Sequence, residues 1–322
     1  MASRHDGIVG ALWIALVVSG CTHIERPEFP TTLSAGVELT QTPFFPQESH
    51  QCGPAALATA LGASGVAVTP DDLVPQVYVP GRRGSLQLEL IAAARRHHRI
   101  AYVLDPEPAA LLAELDAAHP VVVLQDLGVG PLHVWHYAVV IGYQPHERRV
   151  VLRSGKSKRL VTAYDDFLRS WARGDFWAIV VLDGASLPAT ADATRYVDAI
   201  VPLETLGDTE TARAAYTTAV TRWPDNLVAL FGLATTEHKL GQLAAAEQAY
   251  RRLLVLAPDN AIVLNNLAEV MLDRGCAARA LVYADAALEH LVAGSTDAAA
   301  VRDTRAHAAA AAADNPGECA AD

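Results

Sequence analysis

A period of 34 residues runs through the last third of the chain and constrains its fold more than any other feature. A glycine, an alanine five residues later and a tyrosine or alanine four residues after that recur at this spacing. These positions are Gly207, Gly241 and Gly275; Ala212, Ala246 and Ala280; and Tyr216, Tyr250 and Ala284. Glycine can turn one helix into the next, and small alanines let two helices pack closely. The period therefore predicts stacked pairs of helices, none of which could bury a core alone.

The stop signals at the ends of these units share the same period. Pro224-Asp225-Asn226 is followed 34 residues later by Pro258-Asp259-Asn260. Period and residue types together resemble the tetratricopeptide repeat. The resemblance implies an all-α solenoid of about three repeats over residues 195–293, after a linker at 184–194. An alanine-rich C-terminal helix and tail is expected over 294–322. Such repeats commonly bind peptides or proteins, so we expect a protein partner on the repeat face, with a spacer or dimer contact as the alternative.

The amino terminus is typical of an export signal. The apolar run from Ile8 to Val18 has 11 residues, too few to span a bilayer but suited to the core of a signal peptide. Small residues then precede Cys21, which resembles the lipobox of bacterial lipoproteins. The resemblance implies a signal peptide at 1–20, lipidation of Cys21 and a tether at 21–43. Thr22, rather than Asp, follows this cysteine, which resembles lipoproteins that are sorted to the outer membrane. We therefore expect the protein to be anchored in the cell envelope at the outer membrane, facing the periplasm. An ordinary secretory signal is the alternative.

The first folded unit, predicted at 44–183, opens with a cysteine at the start of a helix. Pro54 suits the first turn of a helix, and the alanines and leucine after it favour helix. Cys52 therefore sits at a helix amino terminus, where free N–H groups and the helix dipole favour the thiolate. The flanking Gln51 and Gly53 are unlike the apolar surroundings of structural cysteines. We interpret Cys52 as a reactive residue.

A thiol nucleophile needs a base close to it in space. His136 stands at the start of a β-rich run, Val134 to Tyr143, that is followed by a polar turn, so its side chain can face a cleft. His133, three residues earlier, is the main rival. The pairing of a strand-borne histidine with the Cys52 motif favours His136.

The sequence motifs around Cys52 and His136 together resemble those of the papain-like bacteriocin-processing (double-glycine) peptidase family. The resemblance rests on Gln47-x4-Cys52-Gly53-Pro54-Ala55-Ala56-Leu57 and on the run His136-Tyr137-Ala138-Val139-Val140-Ile141-Gly142-Tyr143. It implies an α+β papain-like cysteine peptidase domain with Cys52 as nucleophile and His136 as general base and acid. Gln47 would donate into the oxyanion hole, with Gln51 as a less favoured donor. Further elements are expected, among them a helix at 86–96 capped by Ser85 and a strand at 176–182 that closes the sheet.

The chain departs from the family at the third member of the triad. The family places an acid, commonly Asp-Pro, on the strand after the histidine. Here Arg149–Arg153 runs into Ser154, which can accept a hydrogen bond from imidazole but cannot stabilise imidazolium as a carboxylate does. Ser154 is therefore a doubtful orienting residue. A Cys–His dyad and an acid from elsewhere, for example Asp126, stay open as alternatives.

Composition limits the remaining function classes. The net charge of −11 is the wrong sign for coating nucleic acid, and neither a metal-ligand cluster nor a glycine-rich phosphate loop is present, so no cofactor is expected. The chain is predicted to be a membrane-anchored cysteine peptidase acting on peptides or proteins. Acyl transfer to an amine is a related enzymatic alternative. A weak or inactive peptidase-like domain that serves with the repeats as a scaffold is the other.

Two smaller features complete the sequence. Cys276 lies in a repeat turn and Cys319 in the tail, and a disulfide between them would suit an oxidising compartment. Basic residues also cluster around a predicted hairpin, namely Arg148, Arg149, Arg153, Lys156, Lys158 and Arg159. We favour a solvated turn for this cluster, with a patch facing an acidic peptide or lipid head groups as the alternative.

Overall fold

The computed structural model describes residues 36–47, 51–291 and 295–314. The predicted signal peptide, the lipidation site Cys21, most of the tether, Cys319 and the end of the tail lie outside the described residues. Within them an α+β domain is followed by a run of helices, as the sequence predicts.

Seven strands form one antiparallel sheet in the order β4-β9-β5-β6-β7-β8, and β1 pairs with β6 beyond the end of β5. The strands are β1 (Val37–Glu38), β2 (Tyr78–Val79), β3 (Gly84–Ser85), β4 (Ile100–Val103), β5 (Val121–Asp126), β6 (Trp135–Gln144), β7 (Arg149–Ser154), β8 (Ser157–Ala163) and β9 (Ala178–Leu182). The remaining two, β2 and β3, form a separate hairpin. The prediction that the last strand closes the sheet is wrong, because β9 lies in the interior between β4 and β5.

The helices of the first domain cover both faces of this sheet. They are α1 (Cys52–Ala63), α2 (Pro70–Val77), α3 (Gln87–Arg96), α4 (Pro108–Asp116) and α5 (Tyr164–Ala172). Along β6, Val139 and Ile141 join an apolar cluster with α1 to α3, whereas Ala138 and Val140 join a second cluster with α4 and α5. Because successive side chains of a strand point to opposite faces, burial on both sides fixes the register of β6.

Local side chains set where the helices begin. Thr69 accepts a hydrogen bond from the Asp72 amide while the Asp72 carboxylate accepts one from the Thr69 amide, so the two residues cap the start of α2 reciprocally. The predicted Ser85 cap of α3 is wrong. Leu86 is the cap residue of α3, and Ser85 pairs with Tyr78 in the β2–β3 hairpin. Strand pairing thus takes the serine away from the helix end.

Seven helices follow the sheet domain in the described residues. They are α6 (Ala193–Thr205), α7 (Thr209–Arg222), α8 (Leu227–Lys239), α9 (Leu243–Leu256), α10 (Ala261–Asp273), α11 (Ala277–Glu289) and α12 (Ala298–Asp314). Gly207, Gly241 and Gly275 turn the first helix of each pair into the second with φ of +77°, +71° and +74°, a conformation that favours glycine. The predicted role of the periodic glycines is confirmed.

The periodic alanines and tyrosines pack between these helices. Ala212, Ala246 and Ala280 are completely buried, and Tyr216 and Tyr250 are exposed by only 1%. Tyr216 lies so close to α8 that a Cβ on Gly232 would come within 2.3 Å of its ring. The small residues therefore set the distance between neighbouring helices.

The segment predicted as a linker is packed against both units. The Thr190 amide and hydroxyl donate to the buried Glu114 carboxylate at 3.1 Å, and the Asp192 amide donates to the Tyr102 hydroxyl at 3.0 Å. Arg195 then forms two hydrogen bonds of 2.8 Å with Asp105. One continuous apolar cluster extends from the sheet into the repeat helices. The two units thus share a core.

Two further observations bear on the sequence predictions. None of the described helices has the length and apolar character needed to cross a membrane. Cys52 is a free thiol, whereas Cys276 is disulfide-bonded. The predicted partner of Cys276, Cys319, lies outside the described residues.

The close contact at Gly232 gives a test of the repeat packing. Alanine ordinarily stabilises a helix by about 0.5–1 kcal/mol relative to glycine. For Gly232→Ala we expect the opposite, a loss of about 1–3 kcal/mol in the free energy of unfolding, because the Tyr216 ring must move. Chemical denaturation would measure the loss. Gly81→Ala is the control, since its added Cβ meets nothing within 4 Å; unchanged stability of Gly232→Ala would contradict this packing.

Candidate active site

A cleft of about 1480 Å³ lies at one end of the sheet, where several elements terminate. It is bounded by the end of β5, the start of β6, the β7–β8 turn, the segment after α5, the start of α1 and the β2–β3 turn. Its walls include Gln47, Cys52 and His136, three of the residues singled out in the sequence. The fold therefore brings together side chains that are up to 89 positions apart in the chain.

Cys52 is the first residue of α1 and is half-buried. This end of the helix carries backbone N–H groups without partners inside the helix. Gly53 allows the helix to approach the β2–β3 hairpin, because a Cβ at this position would lie 2.3 Å from the Ser85 hydroxyl oxygen. The predicted helix start at this motif is confirmed. Glycine is required at position 53 because any larger side chain would collide with Ser85.

Gln47 is held by two hydrogen bonds at the edge of the cleft. Its backbone amide donates to the Gly155 carbonyl at 3.0 Å, and its side-chain Nε2 donates to the Tyr137 carbonyl at 3.3 Å. An amide NH₂ has two hydrogens, so one remains free to donate to another acceptor. Gln51, the less favoured oxyanion donor, precedes Cys52 directly as the cap residue of α1.

His136 contacts the residue that the sequence marks as doubtful. Its Nε2 lies 2.8 Å from the Ser154 hydroxyl oxygen, where β7 ends. The contact links the start of β6 to the end of β7, two strands that pair with each other. Ser154 therefore occupies the place beside the imidazole at which a third member of a triad would stand.

A hydroxyl and a carboxylate act differently in this place. The Ser154 hydroxyl can accept from Nε2–H or donate to a bare Nε2, whereas an ionised carboxylate only accepts. Ser154 therefore leaves both neutral tautomers of His136 available. Burial lowers the pKa of His136 below its usual value of 6.5, and its shift has no contribution from a carboxylate. The neutral imidazole is thus the favoured form in the folded protein.

Asp126 does not supply the missing acid. Its Oδ2 lies 2.7 Å from His133 Nδ1, and its Oδ1 accepts hydrogen bonds from the Gly128 and Val134 amides at 2.9 and 2.8 Å. The hydrogen bond from His133 first, then those two amides, lower the pKa of Asp126 to about 2. Asp126 therefore orders the loop before β6. His133, the rival histidine, belongs to this loop contact and is absent from the walls of the cleft.

Tyr137 is a site residue that the sequence reasoning did not single out, although it lies inside the motif of His136. Its hydroxyl donates to the Ser85 carbonyl at 3.3 Å, and its ring packs edge-on against Trp177. Burial, and secondarily the charge of the Cys52 thiolate, raise the pKa of Tyr137, so the phenol stays protonated. Tyr137 thus joins the hairpin, Gln47 and the histidine strand.

Other walls of the cleft come from residues without any motif. They are Pro46, Arg82, Arg83, Gly84, Leu86, Gln87, Leu124, Trp135, Lys156, Gly174 and Asp175. Their positions in the cleft depend on contacts between turns that are distant in the sequence, and no local sequence pattern predicts these contacts. Across the described ranges, no group of histidine, cysteine and carboxylate side chains is arranged to hold a metal ion. That the chemistry needs no cofactor stays a prediction.

The His136–Ser154 contact predicts a measurable titration. NMR titration of the imidazole should give a pKa for His136 below 6.5 in the wild type. Ser154→Asp should raise it by about one to two pH units, because a carboxylate stabilises imidazolium. Since the folded state lowers this pKa, the wild type should lose stability as pH falls through 6.5 toward the folded-state pKa.

Ser157→Asp is the matched control for this titration, because it adds a carboxylate at an exposed position of the same turn. It should raise the pKa of His136 less than Ser154→Asp does. Equal pKa values for His136 in the wild type and in Ser154→Asp would contradict the contact.

The sheet domain and the helical region each match a different group of known proteins. Residues 39–174 match the family model described as the Peptidase C39 like family, and residues 203–261 and 239–298 match the tetratricopeptide repeat model. No curated protein matches the chain.

Solved structures resemble one part of the chain each. A protein of Bacillus anthracis described as a C39-like peptidase is 18% identical, covering 46% of this chain and 98% of that one, with a TM-score of 0.39. The peptidase domain of Streptococcus ComA, a bifunctional ABC transporter involved in quorum sensing, is 21% identical over 44% and 98%, with a TM-score of 0.37. The Sgt2 tetratricopeptide domain of Aspergillus fumigatus is 19% identical over 43% and 90%, with a TM-score of 0.36. By the family models, residues 39–174 resemble C39-like peptidases and residues 203–298 resemble tetratricopeptide repeats.

Proposed function

We propose that this protein is a cysteine peptidase that cleaves peptides or proteins, with Cys52 as the nucleophile. The observation that carries the proposal is the meeting of Cys52, His136 and Gln47 in one cleft, with the Ser154 hydroxyl against Nε2 of the imidazole. Because Nε2 contacts Ser154, Nδ1 is the ring nitrogen left to exchange a proton with the thiol. The match to the C39-like family supports the same reaction class.

Each residue has a chemical role in this reaction. The Cys52 thiolate attacks the carbonyl carbon of the scissile peptide bond, and its negative charge passes to the carbonyl oxygen. The free Nε2 hydrogen of Gln47 and the Cys52 backbone N–H donate to that oxygen. His136, protonated by the thiol, returns the proton to the leaving amine. Water then attacks the thioester with His136 as base, which releases the acid and restores the thiol.

A second candidate function rests on Ser154. A hydroxyl cannot stabilise imidazolium as a carboxylate does, which makes His136 a weaker base and lowers the population of the thiolate–imidazolium pair. A slow or inactive domain that binds proteins together with the repeats is therefore the alternative. The intact set of Cys52, His136 and Gln47 favours the peptidase.

A peptidyl electrophile that alkylates active-site thiols separates the two functions. We expect labelling at Cys52 in the wild type and none in Cys52→Ala. His136→Ala should slow labelling by about 10²–10⁴-fold, because the general base is lost. Mass spectrometry of a peptide pool should show new termini with the wild type that Cys52→Ala does not produce.

His133→Ala is the matched control, because His133 contacts Asp126 and is not part of the cleft wall. It should leave the rate of labelling and its pH profile unchanged. An unlabelled wild type, or a rate that His136→Ala does not alter, would rule out the peptidase and leave the scaffold.

We further propose that the protein is a lipoprotein of the bacterial cell envelope, held at the outer membrane and facing the periplasm. The lipobox-like sequence before Cys21 supports this. Acyl chains on a cysteine bind a bilayer by about 0.8 kcal/mol for each buried methylene, so several chains give a stable anchor.

The anchor is tested by Cys21→Ser. Membrane fractionation should find the wild type with membranes and Cys21→Ser in the soluble fraction, because the thiol that carries the lipid is gone. Cys52→Ser, which removes a cysteine that is a free thiol in the folded protein, should leave the wild-type distribution. Membrane association that survives Cys21→Ser would contradict lipidation as the main tether.

The repeats, in this proposal, recruit a protein. Val228 and Ile262 occupy equivalent positions 34 residues apart on α8 and α10, and their exposed fractions are 60% and 47%. Apolar side chains that recur on the exposed side of successive repeats suit a protein or peptide partner.

A further inference from the structure

The candidate active site carries positive charge on a protein whose net charge is −11. Arg82, Arg83 and Lys156 line the cleft, and all three side chains are exposed. Among the residues that the structure describes, Asp175 is the acidic side chain on the same walls. The described walls therefore hold a surplus of two positive charges in front of Cys52.

The two arginines are held in place by the structure around Cys52. They lie in the turn of the β2–β3 hairpin, where the Arg83 amide donates to the Pro80 carbonyl at 3.1 Å. The Ser85 carbonyl of this hairpin accepts from Tyr137, and its side chain sits against Gly53. The turn is thus seated on the start of α1, beside the nucleophile.

Lys156 comes from a second element, the β7–β8 turn. The neighbouring Gly155 carbonyl accepts the hydrogen bond from the Gln47 backbone amide. Lys156 therefore stands next to the oxyanion donor, while the arginines stand next to the helix that carries Cys52. The positive charges come from two turns that the cleft brings together.

Most of the other basic residues around the β7–β8 hairpin have carboxylate partners. Arg148 pairs with Asp165 at 2.9 Å, Arg149 with Glu147 at 3.3 Å and Arg159 with Glu38 at 2.8 Å. Arg153 is buried and donates to backbone carbonyls. In the described part of the chain, by contrast, Arg82, Arg83 and Lys156 have no carboxylate within ion-pair distance. These three charges are available to a ligand.

We propose that the cleft selects peptide segments that carry carboxylate side chains close to the scissile bond. The three cations, which have no carboxylate partner within the described ranges, attract the carboxylates, and the half-exposed Trp135 offers an apolar surface for a neighbouring side chain. This proposal rests on the proposed function only in that a peptide enters the cleft. It assigns Arg82, Arg83 and Lys156 as specificity residues.

Protection of Cys52 against iodoacetamide tests the proposal without requiring turnover. The probes are two peptide libraries of equal length and sequence, one with glutamate and one with glutamine at the same positions. We expect the glutamate library to protect Cys52 at roughly tenfold lower concentration at low salt. The difference should shrink as ionic strength rises, because the screening length falls to about 8 Å at 0.15 M.

Charge variants locate the effect. Arg82→Gln/Arg83→Gln should reduce the roughly tenfold preference to about twofold or less, and Lys156→Gln should reduce it in part. The controls remove the same charge elsewhere: Arg222→Gln/Arg302→Gln on the repeat helices, and Lys158→Gln beside the same turn. They should keep the wild-type preference.

The outcomes separate this proposal from the peptidase itself. Glutamate-selective protection without any cleavage would uphold the charge selection and count against the peptidase. Equal protection by both libraries, or protection by neither, would overturn the charge selection, whether or not the protein cleaves peptides. A preference that survives Arg82→Gln/Arg83→Gln but falls in the controls would also overturn it.

Discussion

The register of β6 is the constraint on which the site depends. This strand pairs with β1, β5 and β7, and its side chains enter a core on each face of the sheet. A slip by one residue would place every apolar side chain of the strand on the wrong face. Burial along the strand therefore fixes the place of His136 at its start, opposite the end of β7. The chemistry at the end of the sheet is set by packing in its middle.

Two histidines three residues apart show how the partner decides the role. His133 faces the carboxylate of Asp126, which also gathers the amides of its loop. The Nε2 atom of His136 contacts the hydroxyl of Ser154. The carboxylate of Asp126 thus orders the loop before β6 and does not contact the imidazole of His136. Among the residues that the structure describes, Ser154 is the side chain hydrogen-bonded to His136, and a hydroxyl stabilises imidazolium less than a carboxylate does.

The parts of this molecule that short-range patterns determine could be predicted from the sequence. The 34-residue period predicted the repeat helices and their glycine turns, and Cys52-Gly53-Pro54 predicted the start of α1. The contact of Asp126 with its own loop, the pairing of Ser85 in a hairpin and the place of Arg82 in the cleft could not be predicted. Each depends on which distant segments meet, and the energies that decide this are those of sheet pairing and burial rather than of local propensity.

The packed segment between the sheet and the repeats joins two units that the sequence divides. Its hydrogen bonds to Glu114 and Tyr102, and the apolar cluster beneath it, leave no plane along which the halves separate without exposing core. From this shared core we expect the two halves to unfold together, with one thermodynamic stability. Whatever binds the repeats raises the free energy of unfolding of the sheet by mass action, and a peptide in the cleft does the same for the repeats. A ligand bound to one unit would therefore also stabilise the other unit against unfolding.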